Sequence, residues 1–364
     1  MSTTIGFVGF GLIGGSIARA LRKKHPDWNM IAASRSQEPL MMAAADGVLN
    51  WVCSGVEANF AACDCIFLCT PVESALDYLR QLSGIIKRDC IVTDVGSTKS
   101  DILRAVTGTP IEPNFIGGHP MAGSEKTGYA NSSDRLLENC WYILAPAPAV
   151  SADKLARMEE LVRDIGAMPM VLDPARHDLI TATVSHLPHV IASSLVNLVH
   201  DSDDDEQHMK QIAAGGFKDL TRIASASPDM WQQICETNAD NIVQVLELYI
   251  ASLQRISDQI RSHSRQEIRQ LFADSREYRN SFPEQAAGTL KKQYTIYLDV
   301  ADEVGAITTV AAILSAHQLS IKNIGINNNR EFQEGALAIE FYDEASVNKA
   351  AQLLRRCLYT VFER

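Results

Sequence analysis

Apolar positions fall into three regimes along the chain. Up to about residue 172 they form short apolar runs bounded by glycine or polar turns, with amphipathic stretches between them. Thr4-Ile5-Gly6-Phe7-Val8 reads as a strand, and a helix pattern follows through about Lys24, ended by Pro26. A second strand covers Asn29 to Ala33. Others are expected at Cys65 to Leu68, Ile91 to Asp94, Phe115 to Gly117 and Trp141 to Ala145. Alternating β and α units predict a parallel, doubly wound sheet over residues 1–172.

From His177 to His263 the spacing becomes helical, as in Val190-Ile191-Leu195-Leu198-Val199 and Ile242-Val243-Val245-Leu246-Leu248. An all-α domain is expected over residues 173–282, and the acidic patch Asp201 to Glu206 reads as an exposed helix–helix turn. Its helices are apolar enough to need one another or a second subunit. Residues 264–290 are polar, carry Pro283 and Gly288, and read as a linker with a charged helical start. Residues 291–364 then follow a β-α-β-β-α-β pattern. The strands are Tyr294 to Val300, Ser320 to Ile326, Ala336 to Phe341 and Tyr359 to Phe362; the helices are Ala306 to His317 and Ala345 to Cys357. That is a ferredoxin-like layout.

Composition narrows the function. The chain has 364 residues, 46% of them hydrophobic and 21% charged, which supports folded cores and excludes disorder throughout. Its formal charge of −11 carries no basic stripe, so neither nucleic acid nor an anionic membrane is an expected partner. A small acidic substrate remains compatible, because a local field in a cleft can oppose the net charge. No uninterrupted apolar run reaches about 18 residues, so no transmembrane helix is expected. The N-terminus enters a strand pattern without a basic region, so no signal peptide is expected. Most of the eight cysteines lie in apolar segments and read as reduced structural thiols, placing the chain in a reducing cytoplasm.

The chemistry concentrates in a few strings. Gly9, Gly11 and Gly14 lie between a strand and a helix, the context in which such glycines cradle a dinucleotide pyrophosphate at the helix N-terminus. This makes the first domain a Rossmann fold. Its expected cofactor contacts are Gly9, Gly11, Leu12, Ile13 and Gly14, then Ser34 and Arg35, then Thr70 and Pro71. No acid ends the second strand to bind a ribose hydroxyl, and Glu38 is the nearest. Arg35 between Ser34 and Ser36 suits a 2′-phosphate, so the balance leans from NAD toward NADP. Asp94-Val95-Gly96-Ser97-Thr98-Lys99 follows a strand at the ligand-binding edge of the sheet. His119 stands in a loop of small residues, where a core histidine is not expected. The helical domain adds His186 and His189, then Asp219 and Arg222. No metal site is expected, because the His186/His189 pair lacks a carboxylate third ligand. No serine or cysteine sits in a nucleophile elbow.

The strings GFGLIGGS, DVGSTK, GGHPMAGSEKTG, SHLPH and GGFKDLTRIASASPDMW, in that order, resemble the prephenate dehydrogenases of the tyrosine pathway over residues 4 to about 260. Asp302-Glu303-Val304-Gly305-Ala306-Ile307 and Ile321-Lys322-Asn323-Ile324 resemble an ACT regulatory domain more loosely. The resemblance implies oxidative decarboxylation of prephenate to 4-hydroxyphenylpyruvate with hydride transfer to NAD(P)+. It also implies a homodimer built on the all-α domain. His119 is then the base for the C4 hydroxyl proton, since an imidazole titrating near pH ~6.5 is neutral at the working pH. Ser97 matches the serine that contacts that hydroxyl and orients the histidine. Arg222 is expected to bind a substrate carboxylate through its planar fork, with Asp219 on the same helical face holding it. His189 and His186 match positions near the substrate or the nicotinamide; either one can instead pack the domain interface. Ser124, Glu125 and Lys126 are expected to close the pocket, with Lys126 balancing Glu125. The ACT resemblance implies L-tyrosine feedback near Gly305 and Asn323. An arogenate dehydrogenase, a non-catalytic amino-acid sensor and a β-hydroxyacid dehydrogenase remain as alternatives.

Overall fold

The computed structural model describes residues 2–56, 58–123, 126–282, 294–300, 305–327 and 335–363. They form two compact units, residues 1–288 and 289–364. The first unit opens with an eight-stranded sheet. Its strands are β1 (Thr4–Val8), β2 (Asn29–Ala33), β3 (Trp51–Cys53), β4 (Cys65–Leu68), β5 (Ile91–Asp94), β6 (Phe115–Pro120), β7 (Trp141–Pro146) and β8 (Met168–Val171). They lie in the order β3-β2-β1-β4-β5-β6-β7-β8. Chain order reverses between β1 and β4, the switch point at which open α/β sheets bind ligands.

Both faces of the sheet are covered, so the central strand β4 is apolar and buried at every residue. Ile5 and Phe7 of β1 pack into one layer with Cys65 and Phe67 of β4, the Phe7 and Phe67 rings stacking at 5.5 Å. Val8, Ile66 and Leu68 point into the opposite layer.

The sheet departs from the sequence expectation in three ways. It is not wholly parallel: β7 runs antiparallel to β6, with Gly118 opposite Leu144, and β8 is parallel to β7. A parallel neighbour needs a crossover, usually a helix. Between β6 and β7 the described residues hold only the short 3-10 turn Tyr129–Asn131. β3 and β8 were not expected as strands. Both are short edge strands, and β8 contains Pro169, which an edge tolerates.

The helical part starts at Asp173, whose carboxylate accepts the Ala175 and Arg176 amides ahead of the helix Pro174–Thr181. A π-helical turn, Ala182–His186, leads into the helix Leu187–Ser202. By length and composition, the run from Pro174 to Ser202 is apolar enough to cross a bilayer, which counting uninterrupted apolar residues did not register. His177, Asp178 and His186 interrupt that run and are all buried. Helices Gly215–Thr221, Pro228–Thr237 and Ala239–Arg261 follow. The charged helical start expected for residues 264–290 runs as the helix Arg265–Asn280. None of its residues is buried, which explains its polar composition.

In the second unit, β9 (Tyr294–Val300), β10 (Asn323–Asn327), β11 (Gly335–Phe341) and β12 (Val361–Glu363) form an antiparallel sheet in the order β10-β11-β9-β12. The helices Ala306–Ala316 and Glu344–Arg356 complete a ferredoxin-like unit around Ile296, Leu298, Val310, Leu337, Ile339 and Leu354. β10 begins at Asn323, later than the expected Ser320. Gly305 takes a positive φ of 96° at the start of its helix, and Asn323 Oδ1 accepts the Ile324 amide. Asp302, Glu303 and Val304 lie outside the described residues.

Candidate active site

The dinucleotide cradle forms at the ends of β1 and β4. Gly9 has φ +81°, and a Cβ there would stand 2.6 Å from Thr70 Cγ2 and 2.7 Å from the Cys69 carbonyl oxygen. Only glycine allows both the turn and the approach. At Gly11, by contrast, a Cβ would meet nothing within 4 Å, so the backbone there lies open. Gly11 also caps the helix Leu12–Lys24, whose first turn receives no side-chain cap. Beside this turn Thr70 Oγ1 is buried without a hydrogen-bond partner among the described residues. An open backbone, an uncapped helix start and an orphan hydroxyl fit a pyrophosphate. Leu12 and Ile13 are half-buried in the first helical turn, Ser34 is half-buried at the end of β2, and Arg35 and Pro71 are exposed.

β5 delivers the second component. Asp94 and Lys99 form a buried ion pair. Asp94 also accepts the Gly96 amide at 2.9 Å and the Gly118 amide at 3.0 Å. Burial pushes the Lys99 ammonium down, and Asp94 pulls it back toward the charged form. Ser97 sits half-buried on this loop.

His119, next to Gly118 on β6, is held from the helical side. Its Nδ1 lies 2.9 Å from Nε2 of His177, whose Nδ1 lies 2.8 Å from Asp178 Oδ1. Nδ1 of His119 is therefore engaged by His177. Burial, then the neighbouring His177, Lys99 and His186, hold the His119 ring well below the ordinary histidine value. It is a neutral imidazole near pH 7. Asp178 also accepts the Lys99 amide and the Ser100 amide, each at 2.8 Å. Burial pushes its carboxyl up, but hydrogen bonds from His177, Ser100 and Lys99 outweigh that and hold it below the usual range.

The π-helical turn places His186 and His189 differently. His186 is fully buried, with its Nδ1 3.1 Å from the Asn238 amide nitrogen, and burial lowers its ring to about 4. It packs against the start of the helix Ala239–Arg261 through Asn238. His189 Nδ1 donates to the Ser185 carbonyl at 2.9 Å, and its ring stacks on Trp231 at 3.8 Å. The indole Nε1 of Trp231 is buried without a partner among the described residues. Burial lowers His189, and the Arg222 charge lowers it further, so those two side chains share one neighbourhood.

Arg222 lies past the end of the helix Gly215–Thr221 and opens a 3-10 turn, so Asp219 and Arg222 do not share one regular helical face. Both are exposed, as is Lys126. Ser124 and Glu125 lie outside the described residues. Sequence reasoning missed His177 and Asp178 as site residues; their one local signal is an adjacent His-Asp pair in a helix opened by Asp173-Pro174.

The chain matches the family model for the prephenate dehydrogenase nucleotide-binding domain over residues 17–171, and that for the dimerization domain over residues 173–274. A prephenate dehydrogenase of Bacillus subtilis is 36% identical over 366 aligned residues, covering 100% of this chain and 98% of the relative. The crystal structure of prephenate dehydrogenase from A. aeolicus, in complex with hydroxyphenyl propionate and NAD+, aligns with a TM-score of 0.73 at 28% identity. That alignment covers 78% of this chain and 99% of the other. Synechocystis arogenate dehydrogenase aligns at 0.68 and 26%, covering 77% of this chain and 100% of its own. With two domain models spanning most of its length and a full-length relative above a third identical, this chain belongs to the prephenate dehydrogenase family.

Proposed function

We propose that this protein oxidatively decarboxylates prephenate to 4-hydroxyphenylpyruvate in tyrosine biosynthesis, with NAD(P)+ as hydride acceptor. The observation that carries the proposal is His119 near the carboxyl end of β6, on the same edge of the sheet as the glycine turn after β1, with its Nδ1 2.9 Å from His177 and burial holding its ring below the ordinary histidine value. The nicotinamide, when bound, supplies the acceptor for the C4 hydride. His119 accepts the C4 hydroxyl proton as carbonyl character develops at that carbon. Cleavage of the C1–carboxylate bond releases CO2 and sends its electron pair into the ring. The proton then returns from His119 to the phenolic oxygen, so no net proton is consumed. Ser97 contacts the same hydroxyl, and Arg222, with His189 near it, binds a substrate carboxylate. Ser124, Glu125 and Lys126 close the pocket, and Asp219 supports Arg222.

Ser34 and Arg35 favour NADP, while the NAD+ complex of the A. aeolicus structure favours NAD. The second unit acts as an ACT domain that binds L-tyrosine near Gly305 and Asn323. Its ferredoxin-like topology supports that role. The helical part supports a homodimer, and buried free thiols support a reducing cytoplasm. The Synechocystis relative keeps arogenate as the second substrate to test. The experiment is an initial-rate grid of prephenate or arogenate with NAD or NADP, with and without tyrosine. Turnover of prephenate suppressed by tyrosine is expected. Silence in every cell of the grid would leave a non-catalytic amino-acid sensor.

A further inference from the structure

We propose that His177 is a positioning residue that, with Asp178, fixes the tautomer in which His119 carries its hydrogen on Nδ1 and leaves Nε2 bare. The inference rests on the reading of His119 as the base and names what makes it one. Asp178 is buried, and hydrogen bonds from His177, Ser100 and Lys99 favour its charged form. A carboxylate only accepts, so the hydrogen in the 2.8 Å contact belongs to His177 Nδ1. A His177 ring whose one hydrogen sits on Nδ1 presents a lone pair at Nε2. The hydrogen in the 2.9 Å contact between the rings must come from His119 Nδ1. What remains on His119 is an unprotonated Nε2, the atom a general base needs.

The same chain serves the charged state. A proton taken at Nε2 makes an imidazolium whose Nδ1–H already points at an acceptor, with the Asp178 carboxylate behind it. The rings cross at 79° with centroids 5.1 Å apart, so nitrogens meet and faces do not stack. Asp178 is fixed from three further directions, by the Lys99 amide, the Ser100 amide and the Asn238 side chain, which donates to its carbonyl oxygen at 2.8 Å. The tautomer therefore depends on the helical part being docked against the sheet.

The test reads the tautomer without turnover. Full-length protein is labelled with nitrogen-15 in its histidine rings, and His119→Asn assigns the His119 signals by subtraction. At pH 7.5 the expected spectrum shows a protonated Nδ1 and a bare Nε2. His177→Phe should lose that pattern and lower kcat by about 10²-fold with KM little changed. His177→Gln, whose amide oxygen can accept the same hydrogen, should recover much of it. A wild-type spectrum with the hydrogen on Nε2 overturns the proposal, as does a His177→Phe enzyme within about twofold of wild-type kcat. If His177→Phe fails to fold, the wild-type spectrum decides alone. An active His119→Asn enzyme would remove the base reading while the spectrum still reported the tautomer.

Discussion

The Asp94 carboxylate accepts the Gly118 amide at 3.0 Å, so the residue before His119 is tied to the strand that carries the serine loop. The approach is close: a Cβ on Gly118 would sit 2.5 Å from the Asp94 carbonyl oxygen and 2.8 Å from Thr93 Oγ1. Gly118→Ala must therefore move backbone, with an overpacking cost of about 1–3 kcal/mol. A lower unfolding midpoint in denaturant and a lower kcat are expected together. Unchanged values for both would show that β5 and β6 can separate freely.

His119→Asn is expected to fold and bind dinucleotide while losing kcat by about 10²–10⁴-fold. Arg222→Gln should do the converse, raising KM for prephenate by roughly tenfold or more with a smaller change in kcat. Steady-state kinetics on both variants separates proton transfer from carboxylate binding.

Burial holds the His186 ring down at about 4, while an unfolded chain carries an ordinary histidine near ~6.5. Between these values the unfolded state binds a proton that the native state does not. Stability is therefore fully present above the unfolded value and is lost as pH falls through the window. His119, also depressed, acts with the same sign. Denaturation midpoints should drop from pH 7 to pH 4.5, and His186→Gln should flatten part of that slope. An identical slope in the variant would assign the loss to other groups.

The helical part's buried apolar cluster is Ala182, Ile234, Ile242 and Val245, with Leu187, Val190 and Trp231 packed against it, while Leu248 is 66% and Phe272 68% exposed. So small a core beside so much exposed apolar side chain calls for a second copy. Sedimentation at micromolar concentration should give a dimer; a monomer there would contradict this reading.

Local order was written in neighbouring residues. The glycine turn, the central strands and the two-faced apolar pattern follow from side chains a few positions apart, and so did the choice of His119. The ferredoxin-like unit was legible for the same reason, apart from strand ends. The edge strands β3 and β8 were not legible, because three or four partly exposed residues carry too weak a period. The direction of β7 was set by the connection before it, and the length of the helix Arg265–Asn280 was obscured by its exposure. What only tertiary structure decided is what holds His119. His177 lies 58 residues from it, and Asp178 lies 79 residues from the Lys99 amide it accepts. Periodicity records which face of an element is buried. It does not record which polar groups meet once two domains close, because that pairing comes from packing across the whole chain.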